Sequence, residues 1–149
     1  MKKAILISLL LAGLVIVPAT AQNFQSERPQ FLSFSIGAAA GFNLGSEDVV
    51  GGGCFSLNFP ITDQIEVGLE RLTSTNLIRI SYQFNEMLGA SIGFGTNSSA
   101  VLGIYTDLYK ARAANGIAYS LGVRLDYLAD TSAFADGSFL ISIRSSFGL

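Results

Sequence analysis

The 149-residue sequence contains no histidine, no tryptophan, one cysteine and three prolines. Without histidine, the commonest general base and the commonest metal ligand are missing. Cys54 alone can form neither an internal disulfide nor a cysteine-rich zinc site. Charge is scarce too: 13% of residues are charged, against about 25% in ordinary soluble domains. A net charge of -2 gives no electrostatic footprint for nucleic acid, and no block of like charges or low-complexity tail marks a disordered binding arm. What the chain has in quantity is apolar residues, at 50%, and glycine, with 16 copies. Its length leaves room for one domain.

The N-terminus has the layout of an export signal. Lys2 and Lys3 precede an apolar run from Ala4 to Val17, and Pro18 is followed by Ala19-Thr20-Ala21, an A-x-A cleavage pattern. Residues 1–21 are therefore expected to be a cleavable signal peptide, leaving Gln22 as the first mature residue. The run is shorter than the ~20 residues that a spanning helix needs, and no cysteine follows it at a lipidation position. Residues 22–30, QNFQSERPQ, lack periodicity and read as a flexible lead-in.

From residue 31 onward one pattern repeats. In the stretch 31–44, Leu32, Phe34, Ile36, Ala38, Ala40, Phe42 and Leu44 alternate with Ser33, Ser35, Gly37, Ala39, Gly41 and Asn43. Successive strand side chains point to opposite faces, so this is a strand with one greasy face and one small, weakly polar face. The alternation recurs at 49–61, 65–73, 76–84, 87–96, 100–109, 116–128 and 137–149. Short turn-forming segments separate these stretches, the longest being 129–136. Eight strands with hairpin-length links predict an all-β, antiparallel up-and-down barrel over residues 31–149, closed by the first strand pairing with the last.

Two barrels could carry this pattern: a soluble one with the apolar face inward, or a transmembrane one with it outward. An eight-stranded barrel has a lumen just wide enough for side chains to fill. Leu, Ile, Phe and Tyr from every strand would overcrowd it, whereas Gly, Ser and Ala with a few charges fit. At roughly 3.3 Å per residue and a tilt near 40°, ten residues span about 25 Å, the height of an outer-membrane apolar band. The aromatics fall into two groups, Phe34, Phe59, Tyr82, Phe84, Tyr119 and Phe147 toward one rim and Phe42, Phe94, Tyr127 and Phe139 toward the other. Such girdles mark membrane interfaces. Phe55 falls mid-strand, outside both groups.

The strand–turn–strand segment FPITDQIEVGLE and the ending FLISIRSSFGL resemble the small eight-stranded outer-membrane barrels, the OmpA-like, OmpX-like and opacity-protein group. The resemblance implies residence in the bacterial outer membrane, contact with its lipids, and recognition of the C-terminal strand by the barrel-assembly machinery. That group usually ends in Phe; here Leu149 is last and Phe147 lies two before it. Lipid-modifying barrel enzymes of similar architecture use a His-assisted Ser, so without histidine no enzymatic role is expected. No cofactor is implied. The outer connections, read as 45–48, 74–75, 97–99 and 129–136, are short for an adhesin.

The inward faces carry Glu66, Glu70, Asp107 and Asp126 against Arg79, Arg124 and Arg144. Buried charges persist when paired and hydrogen-bonded, which predicts an ion-pair network that plugs the lumen. The competing reading of the same charges is a narrow pore. Glu66 and Glu70 could serve as paired carboxylates for acid–base work, but among arginines they read as ion-pair partners. A symmetric turn at Ser74-Thr75 would set Glu70 directly opposite Arg79. Arg71 and Lys110 are read as outward charges at strand ends, Arg71 as a candidate for contact with lipid head groups and Lys110, with Arg112, at the opposite rim. Cys54 reads as a small inward residue, and Gly51-Gly52-Gly53 lacks the strand-to-helix setting of a phosphate loop.

Overall fold

The structure, a computed structural model, describes residues 31–113, 116–130 and 133–148. The expected signal peptide, the lead-in and Leu149 lie outside the described residues. Eight strands follow one another: β1 (Ser33–Asn43), β2 (Val49–Pro60), β3 (Ile65–Leu72), β4 (Thr75–Gln83), β5 (Leu88–Gly95), β6 (Ser99–Arg112), β7 (Ala118–Asp130) and β8 (Ala133–Gly148). Each pairs antiparallel with its neighbours, and β1 pairs with β8 from Ser33↔Gly148 to Asn43↔Ser138. The barrel is closed, as the alternation predicts, and closure leaves no open sheet edge along the paired length.

Passing from Ser33 through its successive cross-strand partners Asn58, Gly68, Arg79, Gly93, Val101, Leu128 and Ser138 leads back to β1 at Asn43, ten residues beyond the start. A stagger of this kind tilts the strands by about 40° from the barrel axis. All the residues on that circuit face the lumen, and the row climbs from the end that carries Ser33 to the end that carries Asn43 as it passes round the barrel.

Three local expectations are corrected by the register. The β3–β4 turn is Thr73-Ser74 rather than Ser74-Thr75: Thr73 adopts a left-handed conformation (φ 53°), which lets Leu72 pair with Thr75 and close the hairpin one residue early. Glu70 is therefore opposite Leu77, and Arg79 is opposite Gly68. The stretch 129–136 is not a long loop, because β7 continues to Asp130 and β8 begins at Ala133. In β6, Asp107 pairs with Gly122 and Tyr109 with Leu121, leaving Leu108 as a bulge. One extra residue inverts the faces beyond it. Tyr109 consequently points outward, half exposed, and Lys110 turns toward the lumen instead of away from it.

On the outside, every strand presents exposed apolar side chains: Ile36, Phe55, Leu69, Ile78 and Ile80, Ile92, Leu102 and Ile104, Leu121, and Ile141 and Ile143 in chain order. Arg71 is the charged side chain on that face among the described residues of the strands. Aromatic contacts fall at two levels. Phe34 meets Phe147 at 5.8 Å and Tyr119 meets Phe147 at 5.4 Å near the end that carries Ser33 and Gly148. Phe42 and Tyr127 meet Phe139 at 5.9 and 4.9 Å near the opposite end. Phe55 joins the first group through an edge contact with Phe34 at 5.4 Å.

The lumen is layered along its axis. Toward the end closed by the β1–β2, β3–β4 and β5–β6 turns, Ala39, Cys54, Leu72, Leu77, Val101 and Leu140 pack together, with Val50 and Leu128 against them. Leu72 and Val101 have no solvent-exposed surface at all. This apolar layer inside the barrel was not expected from the alternation. Its signature is adjacent apolar residues where strict alternation would place a small one: Val49-Val50, Leu77-Ile78, Val101-Leu102 and Leu140-Ile141. Shortening Leu72 to Ala opens a cavity in this layer and should lower unfolding stability by about 2–4 kcal/mol, whereas the same change at Ile78 on the outer face should cost about 1 kcal/mol or less in detergent. Urea-induced unfolding followed by gel mobility checks the contrast, and equal losses at the two positions would contradict the layered lumen.

Candidate functional site

Below the apolar layer lies the ion-pair layer. Glu70 on β3 is its hub: 4% exposed, it receives the guanidinium of Arg79 from β4 in a close ion pair, Arg144 Nη2 from β8 at 2.6 Å, and Arg124 Nη1 from β7 at 3.3 Å. Arg79 Nη1 also donates to Asp126 Oδ1 and to Ser91 Oγ, both at 2.8 Å. Arg144 lies 3.5 Å from Asp126 Oδ2 and donates through Nε to Ser142 Oγ at 3.0 Å. Five of the seven inward charges predicted from the sequence, Glu70, Arg79, Arg124, Asp126 and Arg144, thus form one buried cluster drawn from four strands.

Glu70 and Arg79 do pair, but diagonally. Arg79 sits across from Gly68, two residues along β3 from Glu70, a separation that long side chains cover readily. The side-chainless Gly68 also leaves the neighbouring level to Asn58, whose Oδ1 occupies the space a Cβ there would need. Gly103 has an equivalent role within the cluster itself. A Cβ at Gly103 would strike Asp126 Oδ1 and lie 2.9 Å from Ser91 Oγ and 3.1 Å from Arg79 Nη1. The small residues on the inner face are thus the space into which the arginines extend.

Glu66 and Asp107 are not in the cluster. Both lie nearer the end that carries Ser33 and Gly148, on the wall of a chamber of about 430 Å³ whose inner limit is formed by Arg124 and Arg144. Asp107 is paired with Lys110 Nζ at 3.0 Å, an arrangement that exists because the Leu108 bulge turns Lys110 inward. Lys110 Nζ also donates to the Glu86 carbonyl at 2.6 Å, tying β6 to the β4–β5 turn. Along the chamber wall, Asn58 Nδ2 donates to Ser56 Oγ at 3.2 Å and Ser33 Oγ at 3.4 Å, and Ser146 Oγ donates to Ser35 Oγ at 2.9 Å. The Arg124 guanidinium lies over the Tyr105 ring, 5.0 Å from its centroid, in the geometry of a cation–π contact. Tyr105 has no part in the aromatic girdles read from the sequence; the cross-strand pair Tyr105↔Arg124 is what brings ring and guanidinium together.

Cys54 is inward and buried as expected, but it belongs to the apolar layer, among Leu72, Leu77 and Val101. Arg71 is exposed on the outer face, between Phe55 of β2 and Asn76 of β4.

Fold and site together define a closed, eight-stranded antiparallel up-and-down barrel with a buried ion-pair network. No protein-family model matches the chain, and neither does any curated protein or solved structure.

Replacing Glu70 by Gln removes the common partner of three guanidiniums and should cost about 3–5 kcal/mol of stability, the scale for leaving buried charge uncompensated. Glu66→Gln, at the chamber wall, should cost about 1 kcal/mol or less. Gly103→Ala should fall near Glu70→Gln in severity, while Gly53→Ala, whose nearest neighbour would be 4.0 Å away, should be tolerated. Denaturant midpoints of the four variants provide the check, and a stable Gly103→Ala barrel would mean that the cluster can rearrange.

Proposed function

We propose that the protein is a non-enzymatic outer-membrane β-barrel of the OmpA-like, OmpX-like and opacity-protein kind, with a structural or surface-interaction role and a lumen plugged by its ion-pair network. The observation that carries this reading is the inversion of polarity: an apolar band around the whole circumference encloses a charged interior. In water an exposed apolar surface on every strand would drive association. In a bilayer it is the face a spanning barrel needs, while buried polar groups are satisfied inside. The two levels of aromatic contacts support the same orientation, with their rings at the membrane interfaces.

On this reading residues 1–21 direct export, β8 carries the signal read by the barrel-assembly machinery, and the end bearing Ser33 and Gly148 faces the periplasm. The short turns at 44–48, 73–74 and 96–98 then face outward, and Arg71 sits beneath one of them, within reach of anionic lipid head groups. The plug reading is favoured over a narrow pore by the apolar layer. An ion entering from the β3–β4 turn would have to pass Leu72, Leu77, Val101 and Leu140, which offer it no polar ligand.

The folded protein is expected to migrate differently from the boiled protein on a gel, to partition into the detergent-rich phase on phase separation, and to give no discrete conductance in planar bilayers. Partition into the aqueous phase would instead indicate a secreted, soluble barrel for a lipophilic ligand, and stepwise single-channel currents would indicate a pore. Arg71→Glu should leave folding intact and weaken association with vesicles containing anionic lipid. Unchanged association would remove the lipid-contact role from Arg71.

A further inference from the structure

The ion-pair layer does not close its own charge balance. Arg79, Arg124 and Arg144 face only Glu70 and Asp126 within the cluster. Arg79 and Arg144 each hold a close pair to Glu70 and reach Asp126 as well, whereas Arg124 has, among the described residues, a single ion pair, at 3.3 Å, to an oxygen of Glu70 that also serves Arg79. Its Nε is buried without a hydrogen-bond partner among the described residues, as are Nε and Nη2 of Arg79, so what distinguishes Arg124 is its single pair and its exposure. Arg124 is also the most exposed of the three, its side chain 15% accessible against 2% and 7%. That exposure is onto the chamber of about 430 Å³, whose wall carries the cations Lys110, Arg112, Arg124 and Arg144 against the carboxylates Glu66 and Asp107. With each residue counted once, the buried layer and the chamber wall together hold five cations, Arg79, Arg124, Arg144, Lys110 and Arg112, against the four carboxylates Glu70, Asp126, Glu66 and Asp107 among the described residues, and the surplus charge falls at Arg124, between the two.

We infer that this chamber is a binding site for a small oxyanion, a carboxylate or phosphate group entering from the end that bears Ser33 and Gly148, with Arg124 as its principal ligand. A planar guanidinium offers parallel N–H donors that match two oxygens of such a group. The ring of Tyr105 holds the guanidinium from one face, so its orientation is set before the anion arrives, and little side-chain entropy is lost on binding. Hydroxyl groups of Ser33, Ser35 and Ser146 line the approach and can turn to donate to an anion. The chamber volume lies within the range of small-molecule sites. The apolar layer beyond the arginines makes it a blind pocket, suited to retaining a ligand rather than passing it. The lumen has this geometry whatever surrounds the barrel, so the site does not depend on the membrane assignment.

The test uses the folded full-length protein in detergent micelles, titrated with sodium phosphate and, separately, with sodium acetate while sodium chloride holds the ionic strength constant. Saturable NMR shifts are expected at Tyr105, Arg124 and Ser146, with Leu77 and Val101 unmoved. Arg124→Gln leaves the two remaining arginines matched to two carboxylates and should weaken binding at least about tenfold, the scale of a charge-assisted hydrogen bond. Arg71→Gln, on the outer face, should bind like the unaltered protein. Shifts that never saturate, shifts spread over the whole barrel, or equal binding by Arg124→Gln would overturn the inference. Should Arg124→Gln fail to fold, the shift map of the unaltered protein decides: confined and saturable supports the site, and its absence overturns it.

Discussion

One carboxylate makes the rest of the interior permissible. Glu70 accepts from three arginines on three other strands, and the barrel could not hold that many guanidiniums without it. In a low-dielectric lumen each charge left without a partner carries a heavy desolvation penalty. The inner-face composition follows from the same fact. Gly103 and Ser91 are small because Arg79 and Asp126 occupy the space in front of them, and Ser142 is small enough to receive Arg144. The weakly polar face that looks featureless in the sequence is the complement of a few long charged side chains.

The network also depends on the stagger of the sheet. Glu70, Arg79, Asp126 and Arg144 lie on different cross-strand rows and meet because the stagger of the tilted sheet brings positions from those rows to one level. Glu66 lies only four residues from Glu70 on the same face, yet that distance along β3 moves it out of the layer and onto the chamber wall. The Leu108 bulge adjusts the far end. By turning Lys110 inward it supplies Asp107 with a partner, so a carboxylate outside the central network is still not left alone in the lumen.

These relations determine which features could be read from the sequence. Strand number, the inward or outward direction of most side chains and the β1–β8 closure follow from period-two alternation and short turns, both of which are local. The charged residues of the network were identifiable because a charge on the inner face of a narrow barrel must find an opposite charge there. Their pairing was not, because it depends on register, and register depends on turn geometry. The left-handed Thr73 moved every β3–β4 pair relative to a turn centred one residue later. The bulge was equally hidden, since Tyr109 and Lys110 fit a regular alternation as well as an interrupted one. The apolar lumen layer did leave a signal, in doublets such as Leu77-Ile78 and Val101-Leu102. Against a background of strong outward hydrophobicity, the doublets read as more of the same.

The two ends of the lumen are consequently unlike. On one side of the arginines Leu72, Leu77, Val101 and Leu140 exclude water, and on the other a polar chamber lies open to it. An ion-pair layer with water on both sides would be screened and free to exchange partners. Sealing one side lowers the dielectric around Glu70 and Arg79, strengthening their attraction and raising the cost of separating them. Arg124, on the other side, keeps part of its surface toward the chamber and has one ion pair among the described residues, at 3.3 Å. The same cluster thus has a locked half and an accessible half, and the boundary between them is set by where the apolar doublets stop along each strand.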